Sequence, residues 1–337
     1  MDLEGSRPWQ PDTLVNLYSS TKGIVAACAN RLVDQGRLDL DSPVARYWPE
    51  FSQARKGSLP ARYLLNHKAG LPAIRRPLEP GAYLDWDLMT DLLAKSETWW
   101  EPGTQHGYHV MTFGWLVGEV IRRIAQQSLG AYLRREIAGP LDIDLYIGLP
   151  EAEEHRVAPI VPRPHDLAEQ GSPVMELLKD KESMTYKAML NPRDMMAVGA
   201  VNSRAWRAAE IPAANGQGNA RGLARLYGVL ANGGSRDGFT LLNPETIAAA
   251  AGPESEGLDA VLGVPTRFGL GFALNGGSTY YGPNMQAFGH PGLGGSTGFA
   301  DPDARLGFGY AMNQLVGTID TGDPRRQRLI DAAYGSL

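Results

Sequence analysis

Cysteine is almost absent from this chain. Of 337 residues only Cys28 is a cysteine, so no intrachain disulfide can form and no Cys-rich zinc or iron–sulfur site can be assembled. Such usage fits a reducing compartment. Long apolar runs are missing too, with no stretch near the ~18 apolar residues of a membrane helix. The opening residues Met1-Asp2-Leu3-Glu4-Gly5-Ser6-Arg7 lack a basic segment followed by an apolar one, so no secretory signal is read there. A cytoplasmic protein with no membrane segment is the expectation. Positive charge is not in excess either: 32 Lys and Arg face 37 Asp and Glu, for a net charge of −5. Nucleic acid is thereby set aside as a partner. Forty glycines and 24 prolines stay below the ~25–30% combined share that marks low complexity. With 43% hydrophobic and 20% charged residues, the chain reads as globular, long enough for two domains or for one large domain with an insertion.

Several chemistries are excluded by missing motifs. There is no Gly-Lys-Ser/Thr phosphate loop, no GxGxxG following a strand and no HExxH. His106 and His109 stand three apart, but no carboxylate completes a metal triad with them, so a non-metal reading is preferred and no cofactor is implied. His155 and His165 lie in a polar, Pro-rich stretch and read as solvated loop residues.

Periodicity organises the rest. Ile24, Cys28 and Leu32 recur at four-residue spacing before Gly36, which predicts a buried helix whose first turn carries Ser19 and Lys22. Val44, Tyr47 and Trp48 suggest a short amphipathic turn, and 64–72 (LLNHKAGLP) a helix end with a Gly stop. Helical patterns follow over 84–95, 112–127, 129–137 and 175–190. The tail differs, with β-prone segments at 267–274, 286–289, 295–300 and 306–313 that predict an antiparallel meander. A closing helix is expected over 324–334, with Leu329, Ile330 and Ala333 inward. The order suggests an α/β (α+β) layer, an antiparallel sheet flanked by helices, interrupted by an inserted helical domain. The division expected is 1–58 with 216–337 for the sheet domain and 59–215 for the helical one, with the active site between them.

One motif is misleading. Gly294-Gly295-Ser296-Thr297-Gly298 matches the GxSxG nucleophile elbow, but that elbow needs a preceding strand, a following helix and a later histidine. All six histidines lie upstream of Ser296. A Gly-rich strand connection is the better reading. Ser19-Ser20-Thr21-Lys22 is the stronger candidate, because i and i+3 side chains share a helix face and the Lys22 amine can reach the Ser19 hydroxyl. A desolvated Lys can fall by several units from ~10.4 and accept the serine proton, and a helix N-terminus favours both the attacking anion and the neutral amine. Ser20 points elsewhere and is expected to pack or cap. Tyr108 lies in a Gly-rich turn at 101–110 (EPGTQHGYHV), where a loop-held phenol can share a proton network with Ser and Lys. In 288–295 (FGHPGLGG) glycines permit close approach to a ligand. Pro291 has no N–H, so an oxyanion donor must come from Gly292 or beyond, with Leu293 favoured.

Taken in order, Ser19…Lys22, 64–72 (LLNHKAGLP), Pro102-Gly103-Thr104…Tyr108 and Gly289-His290-Pro291-Gly292 resemble the landmarks of the serine β-lactamase and penicillin-binding protein superfamily. The resemblance is to its class C side and to the family VIII carboxylesterases. It extends over essentially the whole chain and implies a β-lactamase-like fold. Ser19 would form an acyl-enzyme, Lys22 would accept the proton, and Tyr108 would relay it to the leaving alkoxide. The N–H groups of Ser19 and Leu293 would form the oxyanion hole, with His290 and Gly292 on the substrate. His290-Pro291-Gly292 stands where β-lactamases carry Lys-Thr-Gly, and Val110 where they carry an Asn, so both departures favour esters over β-lactams. The resemblance thus implies a carboxylesterase acting on small-molecule, short-acyl esters, with capacity for acyl transfer. The rivals are a β-lactamase or D,D-peptidase and a silent ligand-binding scaffold. Members usually carry a helix and a strand hairpin before the Ser-x-x-Lys helix, whereas 18 residues precede Ser19 here, so two sheet strands are expected to be missing, either because the recorded start is late or because the sheet is shorter and completed by another chain. Trp99, Trp100, Trp115 and Phe268 are candidates for a pocket wall, with Trp115 at core spacing. Arg267 is weighed as an anion contact and Asn313 and His106 as outer polar groups. The oligomeric state is not legible.

Overall fold

The computed structural model describes residues 6–162, 173–316 and 323–337; His165 lies outside them. Strand β1 (Val15–Asn16) leads directly into α1 (Ser20–Asp34), which is buried along nearly its whole length. Ile24, Cys28 and Leu32 are all fully buried, as the four-residue spacing predicts. After two short 3₁₀ turns (Val44–Arg46, Pro49–Ser52) come α2 (Arg62–Leu65), α3 (Trp86–Lys95), α4 (Thr112–Ala125) and α5 (Leu129–Leu133). Asp85 caps α3 by accepting the Leu88 N–H at 3.0 Å. The helix expected over 129–137 changes to a π turn at Arg134–Ala138. Strand β2 (Leu145–Tyr146) follows. The helix expected over 175–190 is two, α6 (Pro173–Leu177) and α7 (Met184–Leu190), with Ser183 capping the second through the Tyr186 N–H. Short helices α8 (Val198–Val201) and α9 (Arg204–Ala208) lead to β3 (Gln217–Gly218), which lies between β1 and β2 in a small antiparallel sheet.

Helix α10 (Ala220–Ala231), the hairpin β4 (Ser235–Arg236) and β5 (Phe239–Thr240), and α11 (Pro244–Ala251) precede the main sheet. That sheet is a continuous antiparallel meander of β6 (Ser255–Leu258), β7 (Pro265–Phe268), β8 (Ala273–Leu274), β9 (Phe288–Pro291), β10 (Thr297–Asp301) and β11 (Leu306–Tyr310), in sequence order from edge to edge. The segment expected as one strand over 267–274 is split between β7 and β8 by a turn in which Gly271 has φ 87°. No described strand N-terminal to α1 joins this sheet.

Strand alternation places the sheet between two helical layers. Gly298 faces α10, where an added Cβ would lie 2.3 Å from the Tyr227 ring. The next residue, Phe299, faces the other way, into a cluster with Tyr281, Ala287 and Ile330. Glycines at 307 and 309 let α10 rest on the strand backbone, since a Cβ at either would sit within 2.2 Å of α10 main-chain atoms. The closing helix α12 (Pro324–Tyr334) occupies the expected residues, capped by Asp323. Its inward face differs from expectation, because Leu329 is 48% exposed while Ile330 is fully buried. Residues 326, 330 and 334, spaced by four, form the stripe that meets the sheet, and one position back from 330 rotates Leu329 into solvent.

Candidate active site

The local path into α1 sets the nucleophile candidate. Leu17 N–H donates to Gly216 O at 2.8 Å, and Thr21 Oγ1 accepts from Gly216 N–H at 2.9 Å. Between them Tyr18, buried, adopts φ 47°, a left-handed conformation costing roughly 1–2 kcal/mol in a non-glycine residue. This turn delivers Ser19 to the N-cap of α1. One helical turn on, Lys22 is fully buried, with Nζ 3.1 Å from Ser19 Oγ and 2.9 Å from Ala213 O. Among the described residues no carboxylate pairs with it. Burial alone holds its amine well below the ordinary lysine value, so the free amine is favoured next to the hydroxyl.

Tyr108 arrives from the loop before α4. The Lys22 Nζ lies 4.8 Å from the centre of its ring, which stacks on Phe268 at 5.8 Å and on His290 at 5.9 Å. Burial pushes the phenol up from its ordinary value, against the pull of the neighbouring Ser19 hydroxyl. His290 is pushed down to about 3 by burial, and the nearby Lys22 adds to the effect. Its Nδ1 is 2.8 Å from Pro291 O, which assigns the ring proton to Nδ1 and leaves Nε2 a bare acceptor with no partner among the described residues. The ring is therefore neutral where a Lys would be charged.

Ser19, Tyr108, His290, Gly292 and Leu293 all line one cavity of about 210 Å³, and Lys22 sits behind it. The Ser19 and Leu293 N–H groups find no acceptor among the described residues. Gly292 is required by close approach: a Cβ there would lie 2.2 Å from Ser296 Oγ and 2.5 Å from Leu17 O. Ser296 itself is fully buried, donating to Leu17 O at 2.7 Å and accepting from Ser20 Oγ at 3.2 Å. A 3₁₀ turn precedes it and β10 follows, so the GxSxG match is a strand connection and Ser20 is a packing hydroxyl.

Of the four aromatic candidates only Phe268 lines the cavity. Trp99 donates to Ala73 O, Trp100 lies edge-on to His109 and Trp115 is buried in α4. Their neighbours in space come from the helical segment, which the sequence does not reveal. Arg267 is turned to Glu256 and Asn275 O. His106 bonds Thr266 and Asn313 bonds Pro159 O, and neither lines the cavity. His155 is exposed as expected, but it lies in a 3₁₀ helix (Glu151–Arg156) rather than in a loop. Sequence reasoning missed Arg326 on α12, which lines the cavity with a buried Nε that has no partner among the described residues. It also missed Met111, which follows Tyr108 and Val110 into the cavity, and Tyr281 and Asp259, whose approach to Tyr108 spans more than 100 residues of chain.

Among the described residues, no helix is long and apolar enough to cross a membrane. A family profile described as Beta-lactamase matches residues 1–332. The chain is 37% identical over 324 residues to "Esterase/beta-lactamase LipL" of Mycobacterium tuberculosis, which covers 94% of this chain and 72% of that protein. A solved family VIII carboxylesterase superposes with a TM-score of 0.90 at 44% identity, covering all of this chain and 87% of the other. A penicillin-binding protein homologue from Caulobacter crescentus gives a TM-score of 0.90 at 40% identity, with the same coverage.

Proposed function

Because the chain belongs to the beta-lactamase family, and Ser19 and Tyr108 line one cavity with the Lys22 amine behind it, we propose that it is a serine carboxylesterase working through an acyl-enzyme. The observation that carries this reading is the buried, unpaired Lys22 amine 3.1 Å from Ser19 Oγ. Lys56 is also buried without a carboxylate, but three carbonyls hold its amine, whereas the Lys22 amine is turned to the hydroxyl of a cavity-lining serine, where its free form can take a proton. In the proposed reaction Ser19 Oγ bonds to the ester carbonyl carbon while its proton passes to Lys22 Nζ. The oxyanion is held by the N–H groups of Ser19 and Leu293. The C–O bond to the alcohol then breaks, and the departing oxygen takes a proton through Tyr108, which recovers it from Lys22. Water repeats the sequence on the acyl-enzyme, and an alcohol that arrives first takes the acyl group instead. In this reading the cavity lies between a sheet-bearing part, 1–58 with 216–337, and a helical part, 59–215.

Ester is favoured over β-lactam by two features of the cavity wall: neutral His290 and apolar Val110. The apolar lining around Ser19 suits short acyl chains. Purified protein should hydrolyse p-nitrophenyl acetate and butyrate faster than a chromogenic cephalosporin at equal concentration. Faster turnover of the cephalosporin would assign the site to β-lactams.

A further inference from the structure

Tyr108 is carried on irregular backbone, since residues 105–109 belong to no helix or strand. A phenol that must hand a proton across one defined gap needs its loop fixed by other means. Three consecutive amides do this. Gly107 N–H donates to His67 O at 3.2 Å, and His109 N–H to His67 Nδ1 at 3.2 Å. Between them Tyr108 N–H is shared by both oxygens of Asp259, each at 3.0 Å. Asp259 comes from the β6–β7 connection and is 1% exposed. Its Oδ1 also accepts from Val261 and Leu262 N–H at 2.9 Å each. Its Oδ2 accepts from the Thr266 hydroxyl at 3.1 Å, which in turn lies 2.9 Å from His106 Nε2. The same connection binds back, with Ala260 N–H donating to His106 O at 3.1 Å. There is no slack between the two loops, since a Cβ on Gly107 would lie 3.0 Å from Val261. Among the described residues no Lys or Arg pairs with this carboxylate, so its charge is met by amide and hydroxyl donors, with the Tyr108 amide at the centre.

We propose that Asp259 is a positioning residue for Tyr108: a buried carboxylate that fixes the phenol's loop so that its proton reaches the departing alkoxide. The proposal rests on the Ser19–Lys22–Tyr108 reading above. Its step is the second half of acylation: the C–O bond breaks, the alkoxide takes the Tyr108 Oη proton, and Tyr108 takes one from Lys22. Leu262 and Thr266 line the cavity, so the carboxylate ties the same loop to the substrate wall.

The test uses two esters of one acid, p-nitrophenyl butyrate and ethyl butyrate. Nitrophenolate departs without a proton, whereas ethoxide needs one. For Asp259→Ala, kcat/KM should fall about 100-fold on the ethyl ester and less than about 5-fold on the nitrophenyl ester, the range expected when general-acid help is lost. Asp259→Asn keeps one oxygen for the amides of residues 108, 261 and 262 but sets an NH2 against the Tyr108 N–H where Oδ2 accepted, so it should show the same ester-selective loss at about 10-fold. It also carries the test if the alanine variant does not fold. Equal losses on both esters, or no loss on either, overturn the proposal. Tyr108→Phe, run alongside, separates two failures. If it discriminates between the esters and the Asp259 variants do not, the Asp259 proposal alone fails. If it does not discriminate, the role given to Tyr108 fails and the proposal with it.

Discussion

Replacing Lys22 with Met asks whether the buried amine is uncharged in the folded protein. Lys22 is fully buried, held by Ser19 Oγ and Ala213 O, and burial lowers its value well below that of a free lysine. In the unfolded chain the same group titrates near 10.4. Between the folded and unfolded values the unfolded state binds one more proton, so stability rises with pH by about 1.4 kcal/mol per unit. Below the folded value both states are protonated and the dependence disappears. Met conserves volume and removes the titration. The difference in unfolding free energy between wild type and Lys22→Met should therefore shift by about 1.4 kcal/mol in favour of wild type from pH 8 to pH 9. Urea denaturation of both proteins at each pH gives the comparison, because every other titrating group cancels in the difference. The same physics predicts that esterase activity falls as pH drops through the folded Lys22 value, where the base becomes an ammonium. Parallel stability curves would mean that Lys22 carries its proton in the native state and cannot be the base.

Gly292→Ala should lower kcat at least ~100-fold with the melting curve still cooperative. Its Cβ would press on Ser296 Oγ and Leu17 O and displace the Leu293 N–H from the oxyanion, a loss of the size seen when one such donor is removed. Glu119→Ala should destabilise by about 2–3 kcal/mol in urea melts with little change in kinetics. That carboxylate is 1% exposed and accepts from Trp86 Nε1 at 2.8 Å, Arg122 Nε at 2.7 Å and Arg123 Nε at 2.6 Å, while both arginines remain partly solvated.

The parts of the site that read from sequence are those that obey local geometry. Ser19 and Lys22 share a face because they are one helical turn apart, and the glycines around His290 announce close backbone approach. The same locality identifies α1, α3, α4 and α12 from their apolar spacing. Strand β6 escapes because three of its four residues are exposed, so it carries no alternation to read. Helix α10 buries Leu223, Leu226, Tyr227 and Leu230 at helical spacing, but Gly222 and Gly228 within it weaken the propensity signal that would draw attention to them. Asp259 and Arg326 have no local signature at all: one meets Tyr108 and the other the cavity only after the meander and α12 have folded. The GxSxG match shows the reverse error, a local pattern whose meaning depends on the turn before it and the strand after it.

Ser19 as the nucleophile and Ser296 as a buried structural hydroxyl make opposite demands on one experiment: p-nitrophenyl butyrate hydrolysis by wild type, Ser19→Ala and Ser296→Ala, each incubated in parallel with a fluorophosphonate and digested for mass spectrometry. Turnover and a single adduct on the peptide bearing Ser19 are expected in wild type and Ser296→Ala, with neither in Ser19→Ala. Retained turnover in a folded Ser19→Ala protein, or an adduct on Ser296, would show that Ser19 is not the nucleophile.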